Sequence, residues 1–192
     1  MNPRAAIPAS RRAFLLSGGA FLAVAGIGTL RWASPATGAE GEVAIERFSD
    51  AGESLGIETV AKVVKSEEEW RQQLSELAFQ VTRHEGTERP GTGPWLHNKE
   101  AGVYRCIGCD TALYSSETKY DSRTGWPSFW QPMSANNIVE SEDRTFGMVR
   151  TALSCARCDA HLGHVFDDGP RPTGKRHCIN GVALDFAPAP TA

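Results

Sequence analysis

Four of the chain's five cysteines fall into two identical knuckles, Cys106-x-x-Cys109 and Cys155-x-x-Cys158. Two residues between a pair of thiols let one tight turn aim both sulfurs at a single ion, and a second such turn completes a tetrahedral shell. Any fold the chain adopts then has to bring together two turns separated by 45 residues. That span exceeds a minimal zinc ribbon, so one structural Zn2+ would cross-link distant parts of a larger domain. Two other arrangements compete with zinc. One is a pair of disulfides, favoured by an oxidising compartment. The other is a thioredoxin-like redox pair, for which the sequence offers no βαβ context. His161 could enter a mixed Cys/His shell, although four cysteines already fill it.

The remainder of the sequence bounds the class of protein. A chain of 192 residues predicts one domain with an appendage, large enough to bury a core without a disulfide framework. Its formal charge is −3 and no Lys/Arg block occurs, which excludes nucleic acid as the expected partner. Residues 1–39 stand apart. Arg4, Arg11 and Arg12 precede an uncharged stretch over 13–30 and the small residues Thr37-Gly38-Ala39. This layout predicts an export signal cut after Ala39. The run Ser10-Arg11-Arg12-Ala13-Phe14-Leu15 resembles a twin-arginine signal, which implies export in the folded state to a bacterial periplasm. Retention as an inner-membrane anchor is the alternative, since eighteen uncharged helical residues nearly span a bilayer. Cleavage would leave a formal charge of −7, which disfavours anionic membranes.

Residues 40–56 read as a linker, with weak periodicity and turn-forming composition. Ser66 and Glu69 form a capping box, and Trp70, Leu74 and Leu77 then share one face of a helix of about three turns. Residues 80–100 read as an ordered loop. From Val103 onward the texture is β-prone, with strands expected at 103–106, 112–114, 138–140, 146–153, 164–166, 178–180 and 182–186. The expected body is a mainly antiparallel β domain behind a short helical prelude.

Cys178 is left unpaired. An odd cysteine in an exported protein is a reactive thiol, an intermolecular link or a buried inert residue. On a strand, Arg176, Cys178 and Asn180 would point to one face, with His177 on the other. A neighbouring guanidinium favours thiolate, and Asn180 can donate a hydrogen bond, so the pattern points to a nucleophile.

Several long segments resemble one family. The run Gly174-Lys175-Arg176-His177-Cys178-Ile179-Asn180 is similar to the catalytic strand of methionine-R-sulfoxide reductases. Cys158 through Pro170, reading CDAHLGHVFDDGP, resembles their histidine motif, and Gly125-Trp126-Pro127-Ser128-Phe129 their tryptophan motif. Both knuckles sit where zinc-bearing members have them, and Thr87-Glu88-Arg89-Pro90 also fits. The resemblance spans roughly residues 57–187, leaving 188–192 as a tail. It implies two antiparallel β-sheets with a few peripheral short helices and a structural zinc held by Cys106, Cys109, Cys155 and Cys158. It implies that Cys178 attacks the sulfoxide sulfur of oxidised methionine in peptides or proteins. Arg176 would favour its thiolate, while His161, His164, Asp168 and Asn180 shape the polar side. His164 is the expected proton donor. Trp126 would seat the methyl group, helped by Phe129.

The sequence departs from that pattern at two places. Many relatives carry a resolving cysteine immediately before Gly-Trp-Pro-Ser-Phe, where this chain has Thr124. Four metal ligands and Cys178 exhaust the five cysteines, so a thioredoxin-like external reductant is expected. Relatives often have an aromatic residue where Gly91 stands, which predicts a more open wall to the substrate recess. Two other functions fit the residues alone: a zinc-stabilised β binding module without catalysis, and a disulfide oxidoreductase using the knuckles.

Overall fold

The alternating, turn-punctuated sequence after Val103 folds as expected into antiparallel sheets. The computed structural model describes residues 41–144 and 147–191. The expected export signal, and Phe146 at the head of one expected strand, lie outside the described residues. No described helix is long and apolar enough to cross a membrane.

The strands are β1 (Glu42–Phe48), β2 (Ser54–Ala61), β3 (Gly102–Cys106), β4 (Ala112–Ser115), β5 (Lys119–Tyr120) and β6 (Ser128–Phe129). They continue with β7 (Ile138–Asp143), β8 (Arg150–Cys155), β9 (His161–Phe166), β10 (Arg176–Ile179) and β11 (Leu184–Pro188). Two helices, α1 (Glu67–Gln73) and α2 (Glu76–His84), precede β3. One sheet runs β5-β6-β10-β9-β8-β7 and a second runs β11-β3-β4, with β1-β2 as a separate hairpin. Aromatic rings join the two larger sheets. Phe129 of β6 stacks on Tyr114 of β4 at 4.4 Å and meets Tyr104 of β3 edge-on at 5.1 Å. All three rings are fully buried, and pairs of this kind add to the area they remove from water.

Three local expectations need correction. The stretch 40–56 is not a linker: β1 pairs with β2 along its length. Its anchors are few, which is why the pattern is faint. Ile45 is the one fully buried side chain of the hairpin. Asn137 staples it by accepting from the Glu46 amide and donating to the Glu46 and Ala112 carbonyls, each at 2.8 Å. The expected three-turn helix is broken at Leu74, whose backbone is extended. The capping box of Ser66 and Glu69 forms, but Ser75 caps a second helix by accepting from the Ala78 amide. That restart changes the phase, so Leu77 is 46% exposed and Ala78, Phe79, Val81 and Thr82 are buried instead. The second helix also takes residues 80–84 out of the expected loop.

Candidate active site and metal centre

Each knuckle is a hairpin turn. Cys106 closes β3 and Cys155 closes β8, and the turns lead into β4 and β9. The two turns repeat the same bonds. Asp110 and Asp159 donate their amides to the carbonyls of Cys106 and Cys155 at 2.9 Å, and both aspartates have left-handed backbones. The four sulfur atoms lie within 4.8 Å of one another, and three of the four residues are buried. Sulfur pairs Cys106–Cys158 and Cys109–Cys155 stand 3.5 Å apart, and all four thiols are free. Their mutual contacts push Cys106 and Cys158 up and pull Cys109 and Cys155 down, because thiols this crowded cannot all ionise alone. A soft divalent cation resolves that conflict, and the donor set fits one. His161 is not part of this cluster.

Cys178 lies on β10, between β6 and β9, opposite Ser128 and His164. Registers place Tyr120, Ser128, Cys178, His164 and Ala152 in one row across five strands. Close pairing at this point needs glycine opposite: a Cβ on Gly163 would stand 2.0 Å from the Cys178 carbonyl oxygen. Thr124 faces Cys178, with Oγ1 3.9 Å from its sulfur, and it belongs to a hydroxyl chain with Ser122 and Ser128. The loop carrying Thr124 and Trp126 is docked through Gly125, which has φ 95° and accepts from the Gly91 amide at 2.8 Å.

Burial pushes the Cys178 thiol above its ordinary range, against opposing effects from Thr124, Arg176 and Ser128. The neighbouring arginine therefore does not dominate, contrary to the expectation from spacing. The reason is geometric. Arg176 is held by Asp168 through two 2.8 Å bonds and lies 4.3 Å over the Phe166 ring. Its charge is shared with a carboxylate, and that contact holds Asp168 low.

The histidines divide. His164 meets Asp143 through Nε2 at 2.8 Å, so its carboxylate partner is not Asp168. The same Asp143 oxygen accepts from Arg150 at 2.6 Å. His161 is buried with Nε2 unpartnered, and burial lowers it to about 4. Its ring stands edge-on to His164 at 5.4 Å. His177 faces away as expected, bonded to the Tyr114 hydroxyl at 3.1 Å.

Two expected site residues sit elsewhere than anticipated. Strand β10 ends at Ile179, so Asn180 turns inward; it donates to the Leu162 carbonyl and accepts from the Glu88 amide, both at 3.0 Å. Phe129 is fully buried in the ring cluster and cannot line a substrate recess. Trp126 is half-buried, donates its indole N–H to the Glu88 carbonyl at 3.2 Å, and walls a cavity of about 470 Å³ with His97, Lys119 and Tyr120. A Cβ on Gly91 would meet nothing within 4 Å.

Sequence reasoning missed Asp143, Arg150 and Glu88. The Glu88 carboxylate accepts from the amides of Gly181 and Val182 at 2.6 and 3.0 Å, bracing the segment after Cys178. Those partners lie more than 90 positions away, so no local pattern could have exposed it.

A two-sheet β fold, a four-thiol centre able to hold a metal ion and one separate thiol in a polar strand row define the class of this protein. The SelR domain family matches over residues 74–188. Similar proteins include peptide methionine sulfoxide reductase MsrB of Hahella chejuensis, 58% identical over 125 residues covering 65% of this chain and 90% of that protein. The MsrB of Pseudomonas putida is 54% identical over 127 residues, covering 66% and 96%. That of Agrobacterium fabrum is 50% identical over 130 residues, covering 68% and 96%. The chain belongs to the SelR-domain MsrB family.

The geometry predicts an alkylation profile for Cys178. In the resting, metal-loaded protein its labelling midpoint lies above the ordinary thiol value of about 8.5. Arg176→Ala moves the midpoint further up by removing a cation, and Asp168→Asn moves it down by unmasking one. Iodoacetamide labelling followed by peptide mass mapping checks all three. A wild-type midpoint below about 7 would contradict the dominance of burial.

Proposed function

We propose that this chain reduces the R epimer of methionine sulfoxide in peptides and proteins, with Cys178 as the nucleophile. The carrying observation is the strand row that sets Cys178 between Ser128 and His164, in a chain of the MsrB family. The Cys178 thiolate attacks the sulfoxide sulfur, and His164 gives a proton to the sulfoxide oxygen. The hydroxyl then passes to the Cys178 sulfur as the S–O bond and the transient bond between the two sulfurs both break, so methionine leaves and the thiolate, having supplied two electrons, becomes a sulfenic acid. Arg176, kept in place by Asp168, favours the thiolate once substrate approaches. Trp126 packs against the thioether methyl group. His161 and Asn180 act behind the reacting atoms, by supporting His164 and the turn after Cys178.

Recycling calls on an outside thiol. Thr124 has no sulfur to offer, and the other four cysteines form the metal cluster. One thiol of a thioredoxin-like dithiol attacks the sulfenic sulfur and releases water. Its second thiol then breaks the mixed disulfide and returns Cys178. A non-catalytic binding module is the alternative, and nothing in the site favours it.

Cys106, Cys109, Cys155 and Cys158 would hold one Zn2+, whose chemistry here is structural: it neutralises thiolate charge and ties the two turns. The N-terminal segment supports twin-arginine export to the periplasm through Arg11-Arg12 and the apolar stretch behind them.

Four outcomes test this reading. Incubated with resolved sulfoxide epimers and dithiothreitol, the full chain consumes only the R form, and Cys178→Ser abolishes it. Mass analysis after one turnover without reductant finds a gain of one oxygen; an internal disulfide would refute external recycling. Metal analysis finds about one zinc per chain, and Cys155→Ser loses it with more than about 4 kcal/mol of stability. Equal zinc content in that variant would remove the site. Replacing Arg11 and Arg12 by Lys retains the protein in the cytoplasm of a bacterial host, and undiminished export would exclude the twin-arginine route.

A further inference from the structure

We infer that Asp143 and Arg150 are positioning residues for His164: Asp143 holds the ring oriented, and Arg150 competes for the same carboxylate oxygen. Asp143 ends β7 and Arg150 opens β8, and the two face each other in register. His164 comes from β9, opposite Ala152 of β8. Its Nε2 and the Arg150 guanidinium meet the same carboxylate oxygen of Asp143, at 2.8 and 2.6 Å. A single oxygen thus divides its negative charge between two partners.

The arrangement is sheltered enough to matter. The side chains of Asp143 and His164 are 12% and 15% exposed, so water screens the pair far less than a surface contact. A carboxylate at Nε2 fixes the ring's orientation. It leaves Nδ1 as the nitrogen available for proton exchange, which is what a donor to a sulfoxide oxygen needs. The other titratable groups around His164 are His161 on its own strand and Cys178 and Arg176 on β10. His161 is held neutral by burial, and Arg176 is committed to Asp168. Asp143 and Arg150 are then the two charges that govern His164, with opposite signs.

This opposition separates tuning from mere support of the fold. Loss of Asp143 lowers the affinity of His164 for its proton, whereas loss of Arg150 raises it. Simple structural damage has no reason to move the two in opposite directions. The kinetic consequence rests on His164 being the proton donor, but the positioning itself does not.

The test is a histidine-labelled NMR titration of the full, zinc-loaded chain, with Asp143→Asn, Asp143→Glu and Arg150→Gln. Asp143→Asn should lower the His164 midpoint by about one pH unit or more, Asp143→Glu should restore it, and Arg150→Gln should raise it. The alkaline limb of kcat/KM should follow, down for Asp143→Asn and up for Arg150→Gln. An unmoved His164 midpoint in Asp143→Asn, or shifts of the same sign in Asp143→Asn and Arg150→Gln, overturns the inference. Midpoints that move as expected while the kinetic limb stays fixed uphold the positioning and instead remove His164 as proton donor.

Discussion

The four-thiol centre is the constraint on which the rest of this fold depends. It joins the turn of one hairpin, β3–β4, to the turn of another, β8–β9, and these hairpins belong to different sheets. The helices then build onto the joined turns. Gln73 donates to the Gly108 carbonyl at 2.9 Å, Arg83 donates to the Cys158 carbonyl at 2.7 Å, and Trp70 packs against Gly108. Because β9 continues from the second knuckle and pairs directly with β10, the same clip sets the position of Cys178. An ion held by the four thiols would offset the loop-closure entropy of a long stretch of chain.

Reactivity at Cys178 is a contest between burial and nearby donors. Burial wins in the resting protein, because the nearest guanidinium is already shared with Asp168. A thiol kept protonated until substrate arrives resists adventitious oxidation, since the thiolate is the oxidisable form. The same logic recurs at His164, where a carboxylate that could hold the ring strongly is shared with Arg150. In both places a strong charge is moderated by a second one of opposite sign.

The four-cysteine cluster and the separate Cys178 were legible in the sequence because each is a local signal. A knuckle is four residues long, and an odd cysteine can be counted. Strand positions were legible for a similar reason: alternation is written residue by residue, and β3, β4, β9 and β11 fall within a few positions of their expected places. What stayed hidden was pairing across the sheet. Asp143 looked like one more surface acid, and only the β7–β8–β9 register brings it to His164. Asn180 looked like a neighbour of Cys178, yet the strand ends one residue earlier and turns it inward. Phe129 looked like a recess wall, yet its partners Tyr104 and Tyr114 lie on the other sheet. The hairpin at 42–61 hid because β2 is exposed on both faces, so no alternation marks it.

Thr124 shows how one substitution can relocate a step of chemistry without disturbing the fold. It sits within 4 Å of the Cys178 sulfur, where a second thiol would close a disulfide after small adjustment. The hydroxyl keeps the local bonding, through Ser122 and Ser128, and favours the Cys178 thiolate. It cannot reduce a sulfenic acid. On the proposed mechanism an external reductant would reach Cys178 itself, so the approach to that thiol would have to admit a protein as well as a methionine side chain. Two features of this chain meet that demand. Cys178 is only partly buried, and Gly91, in the segment docked against the Thr124 loop, puts no side chain beside it. An external reductant and an open approach to Cys178 would therefore go together, since a site that resolves itself has less need to be open.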